Sequence, residues 1–358
     1  MPKLKVLITS PSIDTKDNIG GISNLTKLFI ENNTEVSYEL FIAGKKDNER
    51  RGMFWVIRQI IVLAKFLKKL NSREVAFVHI NMPLEKAAIV RDAFFTLMCK
   101  LKRKKCLIHI HGGKYSKDYN IPFSLKYAVK CSLKYASHII VLGEKELVFF
   151  QELYQVNNEK ITVLQNCVGV PQNLSNNIKG KGTINLLYLG RIDKNKGLQE
   201  ILQALSSLSE SVDFILHIAG DGNEREWFIK ECKVRFGDKT QYHGVVSGDK
   251  KIQLLKLSHV FLLPSYFEGL PIALLEAMAF GVVPIVTRVG SIPEVVQDNV
   301  NGVFVEIKNS ISLVEKLNSI FNNRENLEKM AVESYKTIKD NFSIEEYIKS
   351  LNQIYSEL

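Results

Sequence analysis

Two short segments of the sequence place cations and carboxylates where they could hold a phosphorylated ligand. The first, GRIDKNKG from Gly190 to Gly197, directly follows an apolar run, INLLYL, that is typical of a strand. Gly190 lets the chain turn sharply at the end of that strand. Arg191 offers a planar fork of donors and Lys196 a compact point charge, a combination suited to a diphosphate. Taken alone, the segment is equally typical of a solvated basic turn before a helix.

The second segment, PSYFEGLPIALLEAMAFGVVPIVT from Pro264 to Thr287, carries Glu268 and Glu276 eight positions apart. Pro271 predicts a helix start, because proline is favoured in the first helical turn, where its missing N–H costs nothing. The free amides and the positive dipole end of such a helix form an anion site. Glu276 lies deeper in that helix among apolar residues, where a carboxylate usually has a defined partner such as a ribose diol. Two structural glutamates near helix ends are the alternative.

Metal ligands are not evident beside these segments. The sequence contains no D-x-D pair, so we expect no metal on the diphosphate and no other cofactor. Arg191, Lys196 and the helix dipole would stabilise the leaving group instead. Nor does the sequence show a carboxylate nucleophile with a separate acid, as a retaining glycosidase needs.

The elements that must position these residues follow an alternating pattern over the 358 residues. Alternation of strands and helices in both halves predicts doubly wound α/β domains, and a polar stretch at 165–181 predicts a linker between them. The predicted strands are 4–9, 39–43, 76–81, 106–111, 138–142, 184–189, 214–219, 259–263 and 282–286, and the predicted helices 22–32, 53–70, 89–101, 198–208, 271–280 and 342–355. Ligands of open parallel sheets lie beyond the carboxyl ends of the strands, where both segments fall.

Charge is distributed unevenly along the chain. The net charge is +10, but residues 1–180 hold 28 Lys+Arg against 15 Asp+Glu, whereas residues 181–358 hold 20 against 23. The segments 50–70 and 100–105 combine cations with large apolar residues, as do helices that lie on anionic membrane surfaces. An ordinary core-packing helix with a solvated basic face is the alternative. No nucleic-acid-binding motif accompanies the cations, so we expect no nucleic acid partner.

The compartment is indicated by the cysteines and the amino terminus. The five cysteines are scattered and never form a CxxC pair, which favours neither a disulfide framework nor a zinc site. The start, MPKLKVLITS, lacks the apolar core of a signal peptide. We therefore expect a cytoplasmic protein, with peripheral attachment to the inner face of the cell membrane as a hypothesis.

Further landmarks give the sequence a family resemblance. Gly-Gly at 20–21, His-Gly-Gly at 111–113, Gly-Asp-Gly at 220–222 and His-Gly at 243–244 stand in order with the two segments above. The chain resembles the retaining glycosyltransferases of family four, closely from 184 to 305 and loosely before. This resemblance implies the GT-B fold, in which two Rossmann-like domains face across a cleft. Residues 1–170 would bind the acceptor, 171–340 the nucleotide sugar, and 341–358 would form a helix that packs back on the first domain.

The resemblance also implies roles for residues of the second domain. Arg191 and Lys196 would bind the donor diphosphate, following Gly190 at the strand end. Glu276 would bind the ribose. Glu268 would hold sugar hydroxyls, with the backbone amides of Gly269 and Leu270 on the sugar and phosphate.

In the first domain, the resemblance implies that His111 faces the transferring sugar and completes a catalytic set with Glu268, Arg191 and Lys196. Gly20 and Gly21 would let the first loop approach the phosphates closely. A packed histidine at a strand end is the alternative for His111.

The implied activity is retaining transfer of a hexosyl or N-acetylhexosaminyl group from a nucleotide diphosphate sugar, with a UDP-sugar favoured. The acceptor would be a saccharide or a lipid-linked molecule of bacterial surface polysaccharide or glycolipid biosynthesis. Two alternatives remain: a nucleotide-sugar epimerase on the same scaffold, and a non-catalytic nucleotide- or glycan-binding homologue.

Overall fold

Two six-stranded parallel β-sheets, one in each of two compact units, organise the chain. The computed structural model describes residues 3–14, 17–18, 20–44, 53–113, 115, 120–174, 182–208 and 212–358, with the backbone alone at 53–57. The first unit comprises Met1–Asn166 with Ile344–Leu358, and the second comprises Cys167–Ser343. The expected α/β fold with two Rossmann-like domains is confirmed.

The sheet of the first unit has the strand order β2-β1-β3-β4-β5-β6. Its strands are β1 (Leu4–Ser10), β2 (Val36–Ile42), β3 (Phe77–Met82), β4 (Lys105–Ile110), β5 (His138–Val141) and β6 (Ile161–Val163). The helices between them are α1 (Gly21–Asn32), α2 (Met53–Leu70), α3 (Lys86–Leu101), α4 (Phe123–Tyr135) and α5 (Glu144–Tyr154). The strand order reverses between β1 and β3, so the loops at the carboxyl ends of these strands border the crevice where α/β sheets bind ligands.

The sheet of the second unit has the order β12-β11-β10-β7-β8-β9. Its strands are β7 (Ile184–Leu189), β8 (Phe214–Ala219), β9 (Thr240–Tyr242), β10 (Val260–Leu263), β11 (Val283–Thr287) and β12 (Val303–Val305). Its helices are α6 (Leu198–Leu208), α7 (Arg225–Phe236), α8 (Gly248–Leu257), α9 (Ile272–Ala279), α10 (Ser310–Asn322) and α11 (Arg324–Asn341). Here the order reverses between β7 and β10, the two strands that precede the cation and carboxylate segments.

The apolar strand sequences reflect burial on both sheet faces. Every residue of β3, β10 and β11 is buried, as expected for parallel strands covered by helices on both sides. The sequence pattern located these long central strands, but not the three-residue strands β6, β9 and β12 at or near the sheet edges. Three residues are too few for an apolar run to stand out from a loop.

The last helix, α12 (Ile344–Glu357), belongs to the first unit. Its Asn352 side chain accepts a hydrogen bond of 2.7 Å from Asn33 at the end of α1. The Tyr355 hydroxyl lies 2.7 Å from Nδ1 of His79 in β3. These contacts confirm the expected helix that packs back on the first domain.

Two further expectations concern thiols and membrane spans. All five cysteines are free thiols. Within the described part of the chain, none of the helices combines the length and apolar character needed to cross a bilayer.

Candidate active site

The candidate donor site of the second unit lies where β7 and β10 run side by side. The two strands pair in parallel, with Val260 opposite Leu186. The loop after β7 ends in a 3₁₀ turn, Lys194–Lys196, and the loop after β10 carries Glu268. Because parallel strands end at the same edge, two segments 72 residues apart in sequence meet there.

Lys196 and Glu268 form a direct ion pair at this edge. Lys196 Nζ lies 2.6 Å from Glu268 Oε1, and the buried Ser265 hydroxyl donates to the same oxygen at 2.8 Å. The carboxylate is buried, and the ammonium is largely buried as well. An ammonium has three donors, so Lys196 can hold Glu268 and still donate to a second acceptor. The structure thus brings together two residues that the family resemblance assigns to one catalytic set.

Two glycines set the path of these loops. Gly197 has φ +71°, and a Cβ there would lie 2.1 Å from the carbonyl oxygen of Pro264. Gly290 has φ +57°, and a Cβ there would lie 2.3 Å from the carbonyl oxygen of Glu268. A side chain at either position would combine backbone strain with a severe clash. The Glu268 loop is therefore held from both sides by close backbone contacts.

Arg191 projects beside the ion pair at the entrance of a pocket. Its side chain is 76% exposed, and its Nε lies 3.8 Å from Asp193. An exposed ion pair of that length is weak, so the guanidinium can turn toward a ligand at little cost. The pocket is lined by Arg191, Lys196 and Glu268 together with Tyr188, Leu189, Gly190, Leu263, Pro271 and Ala273. Two cations therefore border one opening.

The start of α9 forms another wall of the same pocket. Pro271 stands immediately before the helix, which begins at Ile272, one residue later than predicted, and no side chain caps the helix start. Gly269 faces open space, because a Cβ there would meet no atom within 4 Å. Leu270 is buried, so its side chain packs the loop and only its backbone could face a ligand. Uncapped amides at a helix start favour an anion.

Glu276 is engaged on a neighbouring helix rather than with the residues above. Its Oε1 lies 2.6 Å from Nζ of Lys251 in α8, and both side chains are partly buried. Lys251 has no predicted role, because a lysine in the sequence GDKKIQ is typical of a solvated helix face. Packing of α8 against α9 decides which of the two consecutive lysines meets Glu276. The expected contact of Glu276 with a ribose stays a prediction.

In the first unit, His111 follows β4 and is held by Asn81 of β3. His111 Nε2 lies 2.7 Å from Asn81 Oδ1. The Asn81 amide nitrogen donates to the Thr9 carbonyl at 2.9 Å and to the Thr26 hydroxyl at 3.1 Å. A carbonyl only accepts, so the Asn81 nitrogen must face Thr9 and its oxygen must face His111. Nε2 of His111 therefore carries the hydrogen, and Nδ1 keeps its lone pair.

Burial keeps His111 neutral. It lowers the pKa of His111 to about 3, and the ring of the buried His109 lies 3.9 Å away between centroids. At neutral pH, His111 thus offers an acceptor at Nδ1 rather than a positive charge. No role is predicted for Asn81 from the sequence, although a polar residue near the end of an apolar strand, FVHINM, was the available signal.

Gly20 and Gly21 lie at the start of α1. Gly21 is the first residue of the helix, and the Gly20 N–H donates to the Asn18 side chain at 2.7 Å. Both glycines are exposed. Their expected approach to a phosphate stays a prediction, as does the absence of a metal. No group of three or more His, Cys, Asp or Glu side chains suited to a metal occurs among the residues that the structure describes.

Comparison with known proteins relates part of the second unit to a family. Residues 172–337 match the family model described as glycosyl transferases group 1. An uncharacterized glycosyltransferase of Methanocaldococcus jannaschii is 24% identical over 258 residues, which are 68% of this chain and 65% of that protein. The chain thus spans slightly less than two thirds of this relative.

Two further similarities extend over more of the chain. The Campylobacter jejuni N,N'-diacetylbacillosaminyl-diphospho-undecaprenol α-1,3-N-acetylgalactosaminyltransferase is 25% identical over 330 residues, or 84% of this chain and 82% of that enzyme. The crystal structure of Anabaena HepE in complex with UDP and glucose superposes with a TM-score of 0.76 at 15% identity, covering 99% of this chain and 100% of that one. At this identity the structural similarity concerns the fold alone.

Proposed function

On the premise that residues 172–337 form a domain of the glycosyl transferases group 1 family, we propose that the protein transfers a sugar from a nucleotide diphosphate sugar, with a UDP-sugar favoured. That match supports the enzyme class expected from the sequence, a glycosyltransferase. The observation that carries the proposed donor site is the Lys196–Glu268 pair beside Arg191, at the point where the strand order of the second sheet reverses.

The proposed reaction proceeds with retention of configuration. The acceptor hydroxyl oxygen bonds to the anomeric carbon while the bond from that carbon to the diphosphate oxygen breaks. The bonding electrons pass to the departing oxygen, which takes the acceptor proton on the same face of the sugar. The products are a glycosylated acceptor and a nucleoside diphosphate, and no metal or other cofactor takes part.

Residues of the second unit would stabilise the leaving diphosphate. Negative charge develops on the bridging oxygen as the bond breaks, so fixed cations there lower the barrier. Lys196 is held in place by Glu268 at 2.6 Å and need not reorganise when that charge appears. The start of α9 adds uncapped amides in another wall of the pocket. Glu268 has a second oxygen for a sugar hydroxyl, and Glu276 would hold the ribose.

In the first unit, His111 would contact the transferring sugar. With Nε2 bound to Asn81, its Nδ1 accepts a hydrogen bond from a sugar hydroxyl. A neutral acceptor positions the sugar without attracting the acceptor proton, in keeping with transfer of that proton to the leaving phosphate.

The proposed acceptor is a saccharide or lipid-linked molecule of bacterial surface polysaccharide or glycolipid biosynthesis. The Campylobacter relative, whose name records a diphospho-undecaprenol substrate, supports the lipid-linked form. A cytoplasmic location with peripheral membrane attachment through 50–70 and 100–105 would bring the enzyme to such an acceptor. Within those segments, residues 50–52 and the side chains of 53–57 lie outside the described residues.

The test is thermal unfolding with a panel of UDP-, GDP-, ADP- and TDP-sugars, each with and without EDTA. A donor at 100 times its Kd stabilises the folded state by about 2.7 kcal/mol, which raises Tm by a few degrees in a chain of this size. We expect one nucleotide to respond, with UDP-sugars first, and EDTA to leave the response unchanged. A response that disappears with EDTA would refute the metal-free site.

Turnover separates the proposal from its alternatives. Release of nucleoside diphosphate that depends on an added saccharide or lipid-linked acceptor supports transfer. Isomerised nucleotide sugar without release would indicate an epimerase. A thermal response to a donor with neither product would indicate a non-catalytic binding protein.

A further inference from the structure

Helix α3 of the first unit has an apolar stripe on its outer surface. Val90, Phe94, Leu97 and Leu101 are all exposed, and Leu101 is 72% exposed. Their spacing of four, three and four residues places them along one side of the helix. The opposite side of α3 is buried in the core through Ile89, Phe95 and Cys99, among others. This helix is thus apolar on two sides, whereas a helix that only covers a sheet needs one.

Helix α4 packs beside α3 and extends the apolar surface. Phe123 is 83% exposed and Tyr127 lies exposed one turn later. Lys100 of α3 places its Nζ 3.6 Å from the ring centroid of Tyr135 at the end of α4. The exposed stripes of the two helices therefore belong to one surface, which we call the α3–α4 face: Val90, Phe94, Leu97, Leu101, Phe123 and Tyr127.

The exposed charges on α3 and α4 have a single sign. The two helices contain one acidic residue, Asp92, which is buried and lies 2.7 Å from Arg91. Exposed lysines stand on both helices, Lys86 and Lys100 on α3 and Lys130 and Lys134 on α4. After α3, Lys102 and Arg103 are exposed, whereas Lys104 donates to the carbonyls of Ser72 and Val75. Glu85, immediately before α3, is an exposed acid.

We propose that the α3–α4 face binds the surface of a bilayer that contains anionic phospholipids. Exposed Phe, Leu and Tyr side chains would enter the interface between headgroups and acyl chains, while the surrounding lysines would contact lipid phosphates. This combination explains why large apolar side chains remain uncovered on a helix that has no exposed acid. The membrane contact predicted at 100–105 shares Leu101 with this face, and the face adds further exposed apolar side chains to that cationic segment.

A second copy of the chain fits this surface less well. Pairing two α3–α4 faces would bring lysine against lysine, with no exposed acidic side chain on either helix to compensate, and like charges oppose such association. An anionic bilayer supplies the opposite charge and an apolar interior together. The inference does not rest on the proposed donor site, because the α3–α4 face belongs to the first unit and uses none of the donor residues.

The experiment is flotation of the full chain with vesicles of phosphatidylcholine alone or of phosphatidylcholine mixed with phosphatidylglycerol, an anionic lipid of the kind that attracts polybasic surfaces. We expect binding to the anionic vesicles only. Phe94→Ser/Leu101→Ser should reduce the partition coefficient at least about tenfold, since it removes exposed apolar area. Lys130→Gln/Lys134→Gln should reduce it by about thirtyfold, from roughly 1 kcal/mol for each cation.

A matched control uses apolar residues of the second unit. Val234 and Ile311 are 75% and 70% exposed, so Val234→Ser/Ile311→Ser tests general surface hydrophobicity and should float like the wild type. Circular dichroism and the thermal response to the nucleotide sugar should stay unchanged in all three variants. Equal binding of the wild type and Phe94→Ser/Leu101→Ser would overturn the proposal. Equal binding of the wild type to neutral and anionic vesicles would overturn it as well. So would a wild type that binds no vesicle and forms a dimer, if Phe94→Ser/Leu101→Ser dissociates that dimer.

Discussion

The two units hold their candidate site residues by opposite electrostatic means. In the second unit, Lys196 and Glu268 form a largely buried ion pair, and Lys251 and Glu276 form another. In the first unit, His111 is neutral, because burial lowers its pKa to about 3 and Asn81 binds its Nε2 hydrogen. One unit is thus arranged to stabilise charge, and the other to present a neutral hydrogen-bond acceptor.

The net charges of the two halves of the chain are opposite in trend to the charges at their candidate sites. Residues 1–180 carry the excess of cations, yet His111 and its neighbours are uncharged. Residues 181–358 have more acids than cations, yet they hold the cations that would meet a diphosphate. The reason is that most charged side chains are exposed, so they dominate the net charge of each half. A buried charge, by contrast, is stable only with a partner. The excess charge of the first half therefore describes an outer surface, such as the α3–α4 face, rather than a catalytic site.

The largest expected effect tests the charged site. Lys196→Ala should lower kcat/KM by about 10³-fold, because removing one fixed donor from a developing negative charge costs about 10² to 10³ in rate and Glu268 also loses its partner. Steady-state kinetics with the donor identified by thermal unfolding measures it. The control is Lys194→Ala, an exposed lysine on the same turn, which should retain wild-type kinetics. Near-wild-type activity of Lys196→Ala would place the donor diphosphate elsewhere.

Glu276 offers the next test, because it already has a protein partner. If Glu276 binds the ribose, Glu276→Ala should raise the KM for the donor by about 10²-fold, the loss of a charge-assisted bidentate contact. Lys251→Ala removes only the ion pair, worth about 1 kcal/mol at a partly buried position, and should change KM far less. Donor titrations of both variants decide the point. Equal effects in the two variants would mean that Glu276 serves the packing of α8 on α9.

At the neutral His111 site, Asn81→Ala should have a smaller effect than the substitutions in the second unit. We expect kcat to fall by about 10- to 30-fold, because loss of one buried hydrogen-bond partner costs about 1–3 kcal/mol. Nitrogen NMR of the imidazole should show the hydrogen of His111 on Nε2 in the wild type. In the variant it should show a mixture of the two neutral tautomers, with the hydrogen on Nε2 in one and on Nδ1 in the other. Thr26→Val is the control, since it removes one acceptor of the Asn81 amide and leaves the Thr9 carbonyl in place. A wild type with the hydrogen on Nδ1 would contradict the assignment.

The smallest effect on activity concerns pH. His111 stays neutral well above its lowered pKa of about 3, so its protonation should change the rate by no more than about threefold between pH 6.5 and 8.5. A rate that rises with a pKa near 6.5, and loses that dependence in His111→Gln, would refute a neutral His111.

Stability should depend on pH even where activity does not. Burial lowers the pKa of His79 as well, to about 3. The unfolded chain takes up protons at these histidines below pH 6.5, and the folded unit does not until about pH 3. The unfolding free energy is thus full above pH 6.5 and falls as pH decreases toward 3, on the order of a few kcal/mol by pH 4. Hydrogen exchange at pH 7 and pH 5 should show a greater loss of protection in β3 and β4 than in β7 and β10.

Sequence patterns located the longer strands, half of the helices and the two segments of the second unit that meet at the candidate site. The strand 184–189 and the helices 53–70 and 198–208 were predicted with their observed bounds, because long apolar runs and helical periodicity are local properties. The cation segment and the glutamate segment could also be recognised from local sequence, since each directly follows a predicted strand. Lys196 and Glu268 could therefore be assigned to one site before their contact was seen.

The hydrogen-bond and ion-pair partners of the candidate site residues were decided only by tertiary structure. Neither Asn81 nor Lys251 follows from a motif, because each contacts a residue of another strand or helix that the chain reaches only through the packing of the sheet and its helices. The same holds for α3, whose sequence shows apolar residues on two sides but not which side the sheet covers. Periodicity records where apolar side chains point around one element, whereas burial depends on what the remaining elements place against them.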